Sequence, residues 1–411
     1  RISSKKIFIK MSQKKCITSI IIYLSILYFI ALFHLYFKHS GGADSTISEW
    51  LINYQGGFTK RGIIGEVCFQ IAKYFNLELR DLIYLFQISI IGIYYVLIYN
   101  FIKKITFNYL LILIIFSPIF LLYPLAELEV LGRKEIFIFI GFIIFLTLNS
   151  RKVGDKKDIY YVIFILPILI LIWEPVIFYA PFFLTAFIIK YELNNLFKIF
   201  KFIILFLPAI LISLYIALNP INEENHLILS NSLKENFGEE CYMSCALLLS
   251  KSTIKSQFTA NFPLYNPVIF IRYFLVILIG FGPLFLLSKN SKIVNKIIFK
   301  NFFSNFLILL ILLISPIIIL FAMGSDWGRW VNITYTFACL FFIHLYKNNF
   351  VKINFNFFEK YKLFKNKNIL IFIFIVFCFG WNPKTSLTGD IGSFPGYRVP
   401  YYFVKAVISN F

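Results

Sequence analysis

Long apolar runs, recurring between clusters of Lys and Arg, constrain this chain more than any other feature of it. A helix needs ~20 apolar residues to cross ~30 Å of hydrocarbon. Eleven runs approach that length, at roughly residues 16 to 37, 82 to 102, 107 to 123, 136 to 149, 159 to 173, 175 to 189, 202 to 218, 267 to 288, 306 to 322, 334 to 346 and 369 to 381. The sequence therefore predicts an all-α polytopic transmembrane helix bundle of about 11 spans, a single integral membrane domain over residues 1 to 411. The runs on either side of Trp173-Glu174-Pro175 could merge into one helix kinked at Pro, and charge decides for a hairpin. With a hairpin there, the inner segments hold 25 Lys and Arg against 4 Asp and Glu, and the outer segments hold 15 against 16. That asymmetry follows the positive-inside rule, so the expected topology is N-terminus in and C-terminus out. The first run is long and lacks a small-x-small cleavage site, which reads as an uncleaved anchor, with Met11 a candidate start.

Composition supports that class. The chain is 59% hydrophobic, 20% aromatic and 15% charged, with mean hydropathy +0.79, where globular chains have ~45–50% apolar and ~25% charged residues. The 52 Phe and 25 Tyr also reflect low-GC codon usage, which explains part of the bias without any function. A net charge of +20 is then a matter of membrane sidedness, and no nucleic-acid partner is expected. Of six cysteines, Cys241 and Cys245 share the outer loop at residues 219 to 266, where a disulfide and two unpaired thiols are both open readings. No C-x-x-C and no Cys/His spacing signals a thiolate metal site.

The inner segments contain no Gly-rich phosphate loop. Gly, Trp and acidic residues gather instead in the outer loops: Glu49-Trp50 through Gly62, Gly132-Arg133-Lys134-Glu135, Trp173-Glu174-Pro175 and Ser325-Asp326-Trp327-Gly328-Arg329-Trp330. In the first outer loop, residues 38 to 81, the apolar spacing after Gly62 predicts an amphipathic helix lying on the membrane surface. Lys60 and Arg61 would stand at its N-terminus, suited to a pyrophosphate and equally to anionic headgroups, and Gly56-Gly57 would let backbone approach a ligand. Arg133, Lys134 and Arg329 are further outer cations, each beside a Gly and an acid, which can meet only if three separate loops converge. Glu174 beside Trp173 and Pro175 is either functional or paired with Arg133 or Arg329. The Trp residues read either as an interfacial belt or as platforms for a sugar ring. The tail, residues 382 to 411, is assigned outside.

This arrangement of a long first outer loop with an early acid and a following helix resembles the GT-C class of polytopic glycosyltransferases. The outer Arg clusters, with Glu49-Trp50 through Gly62 and Gly132-Arg133-Lys134, are similar more narrowly to Wzy-type O-antigen or capsule repeat-unit polymerases, although the loop at 219 to 266 is smaller and earlier than theirs. The resemblance implies a membrane glycosyltransferase of the lipopolysaccharide and polysaccharide biosynthesis kind, in the bacterial cytoplasmic (inner) membrane. It would polymerise undecaprenyl pyrophosphate-linked oligosaccharide units on the outer face. Polyprenyl-linked donor and acceptor, membrane lipid and a chain-length regulator are the partners implied. Glu49 is the first choice for general base and Asp44 the second, with Glu174 a further catalytic candidate. Lys60, Arg61, Arg133, Lys134 and Arg329 would bind pyrophosphate. Trp50, Trp173, Asp326, Trp327 and Trp330 would bind sugar. No cofactor is required by the sequence, and a divalent metal on the early-loop acid is compatible with it. Two alternatives are a GT-C transferase adding one sugar from a polyprenyl phosphate, and a lipid-linked glycan flippase or other transporter.

Overall fold

A computed structural model of the chain describes residues 13–250, 253–294, 306–354 and 366–387. Met11, the basic segments at 295–305 and 355–365 and the tail from residue 388 onward, all used in the expected topology, lie outside the described residues. Among the described residues the only regular structure besides helices is a pair of three-residue strands. The long first helix, α1 (Gln13–Gly41), is followed by the short α2 (Ser45–Ser48), the amphipathic α3 (Gly62–Phe75) and α4 (Leu79–Ile102). Next come α5 (Tyr109–Ile115), α6 (Tyr123–Ala126), α7 (Glu135–Asn149), α8 (Lys157–Tyr160), one π turn, α9 (Leu166–Ile172), a 3-10 segment over Glu174–Tyr179 and α10 (Ala180–Lys190). Then follow α11 (Leu196–Ile204), α12 (Leu207–Leu218), α13 (Glu223–Phe237), α14 (Met243–Ser250), α15 (Ile254–Asn261), α16 (Pro267–Gly280) and α17 (Gly282–Lys289). The last elements are β1 (Ser291–Ile293), α18 (Phe306–Ile314), α19 (Ile318–Met323), α20 (Trp327–Lys347), β2 (Val351–Ile353) and α21 (Lys367–Phe379). The strands pair antiparallel, Lys292 opposite Lys352.

Local chemistry sets the helix starts. Asp44, Asn108, Asn222 and Asn266 each accept a backbone N–H of the first turn that follows, as short polar side chains do at N-caps. α3 stops at Asn76, whose left-handed backbone closes the last turn.

The eleven-span bundle is not what forms. Among the described residues three helical stretches are long and apolar enough to cross a membrane, Gln13–Gly41, Leu79–Ile102 and Phe306–Met323, and at most five if two bent pairs each count as one span. Those pairs, α11 with α12 and α15 with α16, turn by 53° and 100° at their breaks. Several of the other apolar runs are accounted for by burial within the protein, although the short helix α21 keeps Ile371, Phe372, Ile375 and Val376 exposed. Residues 107 to 123 yield a seven-residue helix, α5, and then turns, and seven residues rise only ~10 Å. Residues 334 to 346 belong to α20, which is buried from Trp327 to Leu345 on every side, and a helix apolar all round is what a core requires. Aromatic rings pack around it, with Phe337 4.4 Å from Phe142 and 4.3 Å from Tyr179 between centroids. Exposed apolar side chains remain on the outward faces of α1 and α16, including Phe29, Phe33, Ile271 and Phe274. The multi-pass placement in a bacterial inner membrane rested on the span count and falls with it. So do the polymerase reading and its two polytopic alternatives, since each of them needs that bundle.

α3 forms where its periodicity places it, but its apolar face turns inward. Cys68, Phe69 and Ala72 join Trp50, Ile52, Leu79, Ile83, Leu229, Leu233 and Cys245 in a second core beside the main one. That core fixes the 45–62 segment against α4, α13 and α14, and so positions the site below.

Candidate functional site

The cations and acids singled out from separate loops meet in one buried cluster. Glu49 follows α2 directly and is 0% exposed. Its Oε1 accepts from Arg61 Nη1 at 3.0 Å, and its Oε2 accepts from Arg133 Nε and from the Lys134 backbone N–H, both at 3.3 Å. Arg61 also donates Nε and Nη2 to the two oxygens of Glu174, each at 2.8 Å, the bidentate fork that guanidinium geometry favours. Glu174 thus pairs with Arg61, and with neither of the partners expected from sequence. Arg329 lies 3.1 Å from Glu135 through Nε and donates Nη1 to Asp326 at 2.9 Å, while Arg133 reaches Glu135 and Asp326 at 3.9 Å. Lys134 donates Nζ to the Arg61 carbonyl at 2.6 Å. Lys60 sits in the same field, beside Glu174 and Arg61.

Backbone geometry makes this convergence possible. Arg61 caps α3 in the left-handed region, φ 63°, a conformation costing ~1–2 kcal/mol for a side-chain-bearing residue, and its two carboxylate partners hold it there. Gly132, φ 70°, turns the chain into Arg133. Its carbonyl accepts from Trp50 Nε1 at 2.8 Å and from Gln87 Nε2 at 3.0 Å. Gly56 allows a close approach, but to the protein itself: an added Cβ would lie 1.9 Å from the Asn225 carbonyl of α13.

The electrostatics separate the cations. Burial opposes the charge on every one of them. Glu174 and then Glu49 nevertheless hold the Arg61 pKa above its ordinary value, and Glu49 and Glu135 do the same for Arg133. Arg329 is shifted downward instead, by burial and then by the adjacent Arg133. Burial lowers Lys134 to about 8 and lowers Lys60 as well. Burial works to raise Glu49, yet Arg133, Arg61, Arg329 and Lys134 together hold its carboxyl well below the usual carboxylate range.

Around Arg329, buried polar hydrogens lack acceptors. The guanidinium lies 4.6 Å over the Trp330 ring, which is 6.0 Å from Trp173. Arg329 Nε, Trp330 Nε1 and Trp173 Nε1 all have no aligned hydrogen-bond acceptor, and neither oxygen of Glu135 has an aligned donor. Asp326 and Glu174, with side chains 35% and 23% exposed, form the open rim. A narrow pocket of about 40 Å³, open at one side, runs from Arg133 and Glu135 along Tyr94, Tyr95, Phe120 and Phe139.

Other residues named from sequence lie elsewhere or face inward. Asp44 caps α2 and pairs with Lys38, away from the arginines. Trp50 and Trp173 are fully buried, and Trp330 is nearly so. Trp327 donates to the Phe321 carbonyl at 2.6 Å inside a box of Tyr265, Phe270, Tyr273 and Phe321. Glu135, quoted beside Lys134 but given no role, proves central to the cluster.

A second group was not legible. Cys241 and Cys245 are disulfide-bonded, which closes the alternative left open by their spacing. His226 joins them, its Nε2 3.3 Å from Cys241 Sγ. The three place potential metal-ligand atoms all within 4.8 Å of one another, the two sulfurs becoming ligands only when the disulfide is open. This corrects the expectation that no Cys/His grouping exists. Fifteen residues separate His226 from Cys241, and only the turn after α13 brings them together.

No protein-family model matches the chain, and no curated protein or solved structure is similar to it.

Proposed function

We propose that the Arg61–Arg133–Arg329 cluster is the phosphate-binding centre of an enzyme of the glycosyltransferase type, one that uses a phosphate-activated donor. The observation that supports this best is the corner formed by Arg329, Trp330 and Trp173. The indole N–H groups of Trp330 and Trp173 are buried there without an acceptor, beside the Arg329 guanidinium, whose charged form is disfavoured by burial and then by Arg133. Buried donors are rarely left unpaired, and phosphate oxygens would satisfy them while relieving the repulsion between Arg329 and Arg133. Fixed cations aimed at a departing phosphate stabilise the charge that develops on it.

On this reading Glu49 organises the arginines. A carboxylate held so far toward its ionised form is a weak proton acceptor. Asp326, the most exposed acid of the cluster, is better placed to take a proton from an incoming hydroxyl. A metal on the early-loop acids is not part of this proposal, because Asp44 and Glu49 are already paired with Lys38, Arg61 and Arg133.

Calorimetric titration of the full chain with inorganic pyrophosphate tests the reading. Arg329→Gln should weaken binding ~10-fold or more if ~1.5–3 kcal/mol of charge-assisted hydrogen bonding is lost, whereas Arg151→Gln, an exposed cation outside the cluster, should not. Absence of pyrophosphate binding, or equal losses in both variants, would overturn it.

A further inference from the structure

The His226–Cys241–Cys245 group takes no part in the arginine cluster, and its surroundings are built with some care. α13 ends at Gly238, φ 66°, whose N–H closes onto the carbonyls of Leu233 and Lys234. The chain then turns back. Arg80 clamps the turn through both oxygens of Glu239, with Nη2 to Oε2 at 2.9 Å, and also donates Nη1 to the Gly42 carbonyl at 2.9 Å. α14 is tied to α2 by the Ser244 N–H donating to Ser48 Oγ at 2.9 Å. These bonds, together with the disulfide, hold Cys241 and Cys245 opposite His226. Cys245 is fully buried and lies in the first turn of α14, where the helix dipole favours a thiolate.

The geometry points to a thiophilic divalent-cation site, of the zinc kind, formed by His226 Nε2, Cys241 Sγ and Cys245 Sγ when the disulfide is reduced. Tetrahedral zinc with Zn–S of about 2.3 Å and Zn–N of about 2.05 Å sets sulfur and nitrogen about 3.6 Å apart, close to the 3.3 Å found between Cys241 Sγ and His226 Nε2. Three protein ligands leave the fourth position to water. The backbone carbonyl of Cys245 lies 3.2 Å from His226 Nε2, near enough to hold the ring in place in the oxidised state. Reduction adds two electrons and two protons to the disulfide. With a phosphine reductant, the phosphine gains the oxygen of one water and becomes a phosphine oxide. Metal uptake then releases both thiol protons, since only thiolates ligate. Disulfide and metal are therefore mutually exclusive, and only the metal would join His226 of α13 to Cys241 and Cys245.

Cobalt(II) serves as the spectroscopic probe on the purified full chain. After phosphine reduction and anaerobic desalting, a thiol titration should count two more thiols than the oxidised protein shows. Cobalt should then bind one equivalent with a sulfur-to-cobalt charge-transfer band that zinc displaces, and the oxidised protein should give no band. His226→Ala and His226→Gln should each weaken cobalt binding ~10–100-fold, and Cys16→Ser, on α1 in the other core, should leave it unchanged. Failure of the reduced protein to bind cobalt once the two thiols are counted would overturn the assignment. So would an undiminished band in the double variant Cys241→Ser/Cys245→Ser, or undiminished affinity in both His226 variants.

Discussion

Glu49→Gln separates a structural keystone from a proton acceptor. The carboxylate is fully buried and receives three donors, Arg61 Nη1 at 3.0 Å and Arg133 Nε and Lys134 N at 3.3 Å. Glutamine keeps the volume but offers one oxygen and turns an NH₂ donor toward one of the two guanidiniums. It also leaves Arg61, Arg133, Lys134 and Arg329 facing only Glu135, Glu174 and Asp326. Removing one partner of a buried ion pair costs about 3–5 kcal/mol, because a buried charge is left uncompensated. With a urea m-value of ~3 kcal/mol/M, that lowers the unfolding midpoint by ~1–1.7 M. Tryptophan fluorescence reads this directly, since Trp50, Trp173 and Trp330 surround the cluster. Glu174→Gln, at a partly exposed site beside Arg61 and Lys60, should cost less, about 1–3 kcal/mol. The pH dependence has a definite sign. A carboxyl whose folded pKa is depressed contributes stability that is present above its unfolded value of ~4.3 and is lost as pH falls through the folded value. Glu49→Gln should therefore flatten the acid limb of the wild-type stability profile. A midpoint within ~0.2 M of wild type, or a larger loss in Glu174→Gln, would refute the assignment of Glu49 as the organiser of the arginines.

Lys134 should make anion binding pH-dependent. With its pKa lowered to about 8 by burial, it loses its charge as pH rises through that value, so affinity for sulfate, whose own charge is constant, should fall by roughly 3–10-fold from pH 6.5 to 9.5. Lys134→Met should bind sulfate weakly at both pH values and show no such fall in a calorimetric titration. Gly132→Ala should destabilise the chain by about 1–2 kcal/mol, because an L side chain at φ 70° is strained and its Cβ would meet the Gln87 amide carbon at 3.0 Å. A urea midpoint unchanged in Gly132→Ala would show that the turn into Arg133 tolerates a different backbone.

The sequence carried the local structure further than the global one. α3 was legible from its periodicity, and the Glu49, Arg61, Arg133, Glu174 and Arg329 segments stood out as unusual residues in Gly- and Trp-rich stretches. The span count failed because an apolar run has the same appearance whether lipid or protein covers it. α20 and the runs that became α5 and α9 are apolar because other side chains surround them, and no window along one segment contains that information. The partner of Glu174 was missed for a related reason. Arg61 lies 113 residues away, and only the left-handed backbone at Arg61 aims its guanidinium at both acids.

The same separation of local from non-local information explains why Glu135 and His226 escaped notice. Glu135 opens an apolar helix directly after Arg133 and Lys134, which reads as a capping acid neutralising its neighbours. In the fold its nearest cation is Arg329, 3.1 Å away and from the opposite end of the chain. His226 sits in a polar helix among Glu and Asn, with nothing nearby to suggest a ligand. It becomes one only because Gly238 reverses the chain and Arg80 clamps the turn. In both cases the decisive residue is chemically ordinary, and the contact that gives it a role is made by a backbone turn: Gly132 for the arginine cluster and Gly238 for the thiols.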